Sequence, residues 1–303
     1  MKSAPAAGAR AGGPRLPDHP LWVNGRIVRG EAAALSLYDR GARDGEGVFE
    51  TLRVYGGHPF QWERHLERLV LAAAELGFPV PPAPSLLRAG LGDLLEAGAL
   101  SDAVARITVT RGIPGGRPTR SGCWIETEPL EGRLWAGARA GSASARFSRR
   151  PFEPGPLGRY KTTSRLAYRL ASEEARTARV DEALLVSAAG EVMEGATSNL
   201  FAVIGGEVLT PPLARGILPG ITRSWVFGAA AELDLACREA TLDRAAVAGA
   251  DEIFLTNSVQ QVVPLASLEG RPLPARAVGE RLRDAYRAAV ERERAGAGAG
   301  RGA

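Results

Sequence analysis

All but two of the 38 lysines and arginines in the 303-residue chain are arginine; the exceptions are Lys2 and Lys161. So strong a bias supplies arginine wherever a plain positive charge will do. Lys161 is then either a chance survivor or a position that needs what only lysine can do. A lysine amine can lose its proton and attack a carbonyl to form a Schiff base, whereas a guanidinium stays protonated. Three later features suit a carbonyl cofactor at Lys161. Gly216-Ile217-Leu218-Pro219-Gly220-Ile221-Thr222-Arg223 is a glycine-punctuated turn opening a helix, whose free N–H groups and dipole can cradle a phosphate. Ordinary helix capping explains the same residues. Glu194, between Met193 and Gly195, can keep a pyridinium nitrogen protonated, or it is a surface-strand acid. Thr256-Asn257-Ser258 closes an apolar strand and offers hydroxyls and an amide to a site, or forms an Asx-type turn.

The elements that must position these residues are readable from periodicity. Asn24-Gly25 between apolar residues predicts a β-hairpin over 22–28. Residues 47–55 alternate as a strand and end in Gly56-Gly57. Leu66, Leu69, Val70 and Ala73 fall at helical spacing over 62–76, and Gly77 stops that helix. A second helix is predicted over 85–97, then strands over 103–110, 123–128 and 134–145. The second half predicts a helix over 164–178 capped by Ser164. Strands follow over 183–187, 192–194, 198–204 and 208–209, then a helix from a Thr222 cap to about 235. A strand over 252–256 and a helix over 275–291 complete the chain. Two halves without regular βαβ alternation predict an α+β architecture.

Composition excludes several function classes. An apolar fraction of 45% and a charged fraction of 24% are those of a globular chain. No apolar run approaches the roughly 20 residues of a membrane span, and Ala-Gly-Pro punctuation replaces a secretion signal. Cys123 and Cys237 are far apart, and His19, His58 and His65 are scattered, so neither a metal site nor a disulfide scaffold is expected. The net charge of +4 comes without a basic stripe, so no nucleic-acid partner is expected. A cytoplasmic protein is the expectation.

Taken in order, the motifs resemble a known family. They are Phe49-Glu50-Thr51-Leu52-Arg53, His65-Leu66-Glu67-Arg68-Leu69, Lys161, Asp181-Glu182-Ala183-Leu184-Leu185 and Glu194-Gly195-Ala196-Thr197-Ser198-Asn199-Leu200-Phe201. The 216–223 turn, Ala250-Asp251-Glu252 and Thr256-Asn257-Ser258 complete the set. Together they look like the class IV aminotransferases, pyridoxal-phosphate enzymes of fold type IV. That family includes branched-chain and D-amino-acid aminotransferases and aminodeoxychorismate lyases. The resemblance covers about residues 22–287. It implies a small N-terminal α/β domain over 19–130 and a larger cofactor-binding domain over 131–292, while Ala/Gly/Pro-rich composition marks a disordered leader over 1–18 and a disordered tail over 293–303. It also implies a homodimer with pyridoxal 5'-phosphate between the domains. Lys161 would form the Schiff base and shuttle protons, and Glu194 would hold the pyridinium nitrogen. Arg68 would clamp the phosphate with the amides of Ile221 and Thr222 and with Ser258, although a helix-surface ion pair also explains an arginine there. Arg165 would lie near the cofactor's phenolic oxygen.

The substrate side is less sharply marked. The strand over 103–110 has Val104 where branched-chain enzymes commonly carry tyrosine. Arg117-Pro118-Thr119-Arg120 lacks the histidine of the D-amino-acid enzymes' Arg-x-His carboxylate trap, and Arg165 looks somewhat like lyase sequences. Asp44 departs from the aromatic residue usual in the family; it either faces the substrate or is a solvent-facing loop acid. Arg106, Arg111, Arg117 and Arg165 are candidates for a substrate carboxylate, and Asn257 for a further polar contact. The expected reaction moves an amino group between an amino acid and a 2-oxo acid. The alternative is elimination of pyruvate from aminodeoxychorismate, and a non-catalytic cofactor-binding relative is the contrasting class.

Overall fold

The computed structural model of the chain describes residues 19–115 and 122–299. Its first sheet is built from β1 (Leu21–Val23), β2 (Arg26–Val28), β3 (Gly47–Tyr55), β4 (His58–Pro59), β5 (Ala103–Thr110) and β6 (Cys123–Pro129). The order is β2-β1-β6-β5-β3-β4, antiparallel throughout. Asn24 and Gly25 both have positive φ, as do Gly56 and Gly57, so each pair makes the tight turn that a two-residue hairpin demands. Helix α1 (Arg40–Arg43) is a single turn. Helices α2 (Trp62–Glu75) and α3 (Pro84–Ala97) lay Leu66, Leu69, Leu87 and Leu91 on Leu52, Ile107 and Ile125 of the sheet. That apolar stripe at i, i+3 and i+4 spacing is why these segments are helices.

The second sheet holds β7 (Ala143–Pro151), β8 (Glu182–Val186), β9 (Val192–Gly195), β10 (Asn199–Ile204), β11 (Glu207–Thr210), β12 (Cys237–Glu239), β13 (Glu252–Asn257), β14 (Gln261–Leu268) and β15 (Arg271–Pro272). They run β12-β11-β10-β13-β14-β7-β8-β9, with β15 beside β14. Three pairings are parallel and the rest antiparallel. Around the sheet lie α4 (Ala136–Arg139), α5 (Leu166–Thr177), α6 (Ile221–Glu232), α7 (Arg244–Ala248) and α8 (Ala277–Ala299). Both faces of β10 and β13 are covered. Phe201, Val203 and Phe254 meet Val226 of α6 and Tyr286 of α8, while Leu200, Ala202, Ile253 and Leu255 meet Val247 of α7. Burial on both faces accounts for the nearly unbroken apolar runs of these strands. The fold is α+β, with the division between sheets falling between Pro129 and Ala143.

Several expectations are corrected. Residues 134–142 are not strand: the Asp181 carboxylate accepts from Gly137 N and Ser144 N and folds the segment into a turn around α4. Ser164 does not cap α5, because its hydroxyl donates to Gly45 O; nor does Thr222 cap α6, since Gly220 holds the N-cap position and Thr222 lies inside the first turn. β14 escapes the sequence reading because Pro264 interrupts it, and proline is normally barred from central strands. Here β14 pairs with β13 through Pro264 and with β7 from Leu265 onward, so the proline sits where one ladder hands over to the other. The tail expected over 293–303 is helical as far as Ala299. Glu293 on α8 accepts from Gln61 N and Gln61 Nε2 and bonds His58 Nε2 at 3.0 Å, which ties the helix end to the first sheet.

The other end of α8 is capped across the fold. Glu252 of β13, 5% exposed, accepts from Val278 N and Gly279 N, satisfying amides that the helix itself cannot. Replacing Glu252 with alanine should lower unfolding stability by about 1–2 kcal/mol, read by urea denaturation. Hydrogen exchange at the start of α8 should accelerate with it; unchanged exchange there would mean the cap contributes nothing.

Candidate active site

The site begins with a backbone clasp. β4 covers only the Val54–Tyr55 end of the outer edge of β3, leaving its Gly47–Phe49 end unpaired on that side. Residues 161–163 pair there: Phe49 N donates to Lys161 O and Thr163 N to Gly47 O, both at 2.8 Å, around an antiparallel bridge between Val48 and Thr162. The Thr163 hydroxyl adds a bond to Gly45 O. A segment joining β7 to α5 is thereby fixed against the first sheet, and Lys161 is aimed into the cleft between the two sheets. Its Nζ lies 4.9 Å from the centre of the Phe49 ring. No acid forms an ion pair with it among the described residues. Burial, with the charges of Arg165 and Arg68 nearby, lowers its pKa from the ordinary lysine value to about 7.

Lys161 lines a cavity of about 580 Å³. Glu194 of β9, 3% exposed, faces the same space. Its carboxylate accepts from Leu218 N at 3.2 Å, Asn199 Nδ2 at 3.4 Å and the Tyr168 hydroxyl at 3.3 Å. No lysine or arginine among the described residues ion-pairs with it, and burial raises its pKa to about 7 despite the opposing charge of Arg165. A buried acid so poised favours a protonated nitrogen beside it. Arg165 places its guanidinium 3.5 Å from the Tyr168 ring centre and donates to Ala196 O.

The opposite wall is an anion cup. Arg68 on α2 is held by Glu50 of β3, with Nε to Oε1 at 2.7 Å and Nη2 to Oε2 at 2.8 Å, and by Pro219 O at 2.7 Å. Three of its five N–H donors are so engaged, leaving two for the cavity. Ile221 and Thr222 open α6, where the first amide bonded back into the helix is that of Ser224, so theirs are free for a ligand. Close approach matters here, because a Cβ on Gly220 would meet Asn199 Oδ1 at 2.0 Å. Among the described residues Thr222 Oγ1 and Thr256 Oγ1 are buried without a hydrogen-bond partner, the former beside the Tyr286 hydroxyl but in no hydrogen-bonding geometry with it. Orphaned hydroxyls beside free helix amides and a half-used arginine fit a phosphate group.

The family model described as Amino-transferase class IV matches residues 47–268. The chain belongs to the class IV aminotransferases.

This aminotransferase is 34% identical over 269 residues to a Methanocaldococcus jannaschii protein provisionally named a branched-chain-amino-acid aminotransferase, covering 86% of this chain and 91% of that one. It is 30% identical to the aminodeoxychorismate lyase of Bacillus subtilis, covering 82% and 86%. Among solved structures, the pyridoxal-phosphate-bound form of a hypothetical aminotransferase from Mycobacterium tuberculosis superposes with a TM-score of 0.78. That match has 27% identity and covers 88% of this chain and 98% of the other. The fold is fold type IV.

Of the residues singled out in the sequence, Lys161, Arg68, Arg165, Glu194, Ile221, Thr222 and Ser258 line one cavity of this aminotransferase, as do Arg106 and Asn257. The Asn257 side chain is occupied in its own turn, accepting from Val259 N and Gln260 N. Asp44 is corrected: it ends α1, is exposed, and pairs with Arg40 outside the cavity. Arg111 is also outside, spent on Glu46 and on the carbonyls of Leu76 and Gly77. Arg117 lies outside the described residues. Sequence reasoning missed the roles of Glu50, His65, Tyr168 and Asn199. The signals were an acid within the apolar run Val48-Phe49-Glu50 and a histidine one turn before Arg68, on the same helix face.

The lowered lysine pKa has a direct consequence. Lys161 in the apoprotein should become reactive toward acetic anhydride as pH rises through about 7, read peptide by peptide in a mass spectrometer. Replacing Arg165 with glutamine should move that midpoint upward, since one opposing charge is gone. A wild-type midpoint near the usual 10 would contradict the burial argument.

Proposed function

We propose that this class IV aminotransferase uses pyridoxal 5'-phosphate, attached covalently at Lys161, to move an amino group between an amino acid and a 2-oxo acid. The observation that carries the reading is the convergence on one cavity of a low-pKa lysine amine, a buried carboxylate with no ion-pair partner among the described residues, and a phosphate-shaped cup. The cofactor-bound structure of the Mycobacterium tuberculosis aminotransferase supports the choice of cofactor.

The bound cofactor supplies an aldehyde for the lysine and a ring that absorbs negative charge from the substrate's Cα. The chain does the rest. Arg68, the amides of Ile221 and Thr222, and Ser258 bind the phosphate. Glu194 stays ionised against a protonated ring nitrogen. Nζ of Lys161, unprotonated above about pH 7, would take the proton from the substrate's Cα and deliver it to the cofactor's former aldehyde carbon, across the nitrogen the two share. Arg106, whose guanidinium lies 3.6 Å from the Phe49 ring centre, grips the substrate carboxylate. Phe49, Trp135 and Val259 line the remaining wall and suit an apolar substrate side chain, in keeping with the name of the Methanocaldococcus relative.

A homodimer in the cytoplasm completes the reading. Leu37 is 82% exposed and Tyr38 70%, and such an uncovered apolar edge suits a second copy. Among the described residues no helix is long and apolar enough to cross a membrane. The second reading, aminodeoxychorismate lyase, is favoured by the 30% identity to the Bacillus subtilis enzyme and by the arginine at position 165.

The test adds D- and L-amino acids, one at a time and without an oxo acid, to the cofactor-loaded protein. Transamination predicts that an amino acid with an apolar side chain converts the bound cofactor to pyridoxamine 5'-phosphate, followed by absorbance. Lys161→Ala should slow that conversion by about 10²–10⁴-fold. Release of pyruvate and 4-aminobenzoate from aminodeoxychorismate, with no amino acid converting the cofactor, would overturn transamination in favour of the lyase.

A further inference from the structure

We propose that His65 is a positioning residue of the phosphate cup: locked in place by Glu50, it decides whether the Ser258 hydroxyl can donate to a phosphate. The proposal rests on the cofactor reading above. His65 and Arg68 stand one turn apart on α2 and share Glu50 as acceptor. His65 Nδ1 lies 2.7 Å from Glu50 Oε2, and Arg68 bonds both carboxylate oxygens. His65 and Glu50 are each only 1% exposed. On its other side, His65 Nε2 lies 3.1 Å from Ser258 Oγ, in the loop between β13 and β14.

The direction of each bond follows from Glu50. Burial works against its charge, but the Arg68 charge and the bonds from His65 and Arg68 outweigh that and hold its pKa at about 2. Glu50 is therefore an acceptor only, and Nδ1 of His65 must carry the proton. Two arrangements remain at Nε2. With neutral imidazole, Nε2 accepts a hydrogen bond from the Ser258 hydroxyl, which then turns only lone pairs toward the cavity. A phosphate dianion is repelled by them. With imidazolium, Nε2 donates to Ser258 Oγ, and the hydroxyl proton is released to the phosphate. The groups that bear on His65 are Glu50 on β3, Arg68 on its own helix and Lys161 on the clasp. Burial and the two cations favour the neutral ring, and Glu50 opposes them. A dianion bound at Ser258 adds its charge to that of Glu50. Phosphate binding and proton uptake at His65 are thus coupled.

The experiment compares pyridoxal 5'-phosphate with phosphate-free pyridoxal on the apoprotein between pH 7 and 9. A phosphate monoester, with its second pKa near 6, is dianionic over that range. The Kd of pyridoxal divided by the Kd of pyridoxal 5'-phosphate isolates the phosphate contribution. In the wild type this ratio should fall about tenfold from pH 7 to 9. His65→Phe and Ser258→Ala should each lower the pH 7 ratio by about ten- to hundredfold, flatten its pH dependence and leave pyridoxal affinity unchanged. The double variant should be no worse than either single one. A flat wild-type ratio, additive losses, or equal loss of pyridoxal binding would overturn the proposal while leaving the cofactor reading intact. Failure of the wild type to bind pyridoxal 5'-phosphate would overturn both. If His65→Phe does not fold, the pH dependence of Ser258→Ala against wild type decides alone.

Discussion

A three-residue antiparallel clasp holds the site together. Residues 161–163 pair with the unpaired end of β3, a contact of only a few backbone bonds. Through it a segment leading out of β7 is pinned to the other sheet, and the amine of Lys161 is held inside the cleft. Burying an ammonium without a carboxylate partner is expensive, and the protein meets that cost by letting the proton go. The lowered pKa is therefore a consequence of where the clasp puts the lysine, with Arg165 and Arg68 adding to it. β3 carries the clasp and, next to it, Glu50, which orients Arg68. One strand thus sets both the amine of Lys161 and the guanidinium of Arg68.

The second sheet contributes the remaining wall through a different device, short turns at strand ends. Glu182, fully buried at the head of β8, accepts from Thr197 N, Thr197 Oγ1 and Ser198 Oγ. It thereby shapes the 195–198 turn between Glu194 and Asn199. Asn199 in turn binds both Glu194 and Leu218 O, which joins the acid to the glycine-bounded turn before α6. Glu194 and the free amides of α6 are therefore placed by one hydrogen-bonded chain. α8 spans the whole assembly, capped by Glu252 at one end and held by His58 and Gln61 at the other, so both sheets share a strut.

The sequence made the acting residues more legible than their supports. Lys161 stood out because arginine had replaced nearly every other lysine, and Glu194 and the 216–223 turn stood out beside it. Most strands and long helices followed from periodicity and turn pairs. What stayed hidden depends on contacts between residues far apart in the chain. Glu50 reads as a polar residue on a strand until α2 is laid over it, and the pairing that turns Arg111 away from the cavity joins it to Glu46, 65 residues earlier. Asp44 drew attention because it departs from the aromatic residue usual in the family, and its pairing with Arg40 one helical turn back lies in a segment too short to show periodicity. β14 was concealed by Pro264, since nothing local reveals that two ladders meet there.

Covalent attachment at a lysine of lowered pKa is the central claim, and the composition makes it unusually easy to test. The chain has only two lysines, Lys2 and Lys161. Borohydride reduction of the cofactor-loaded protein, followed by digestion and peptide mass mapping, should find the reduced pyridoxyl group on Lys161 and none on Lys2. Label confined to Lys2 or the terminal amine, or no label on a protein that has demonstrably bound the cofactor, would contradict the account.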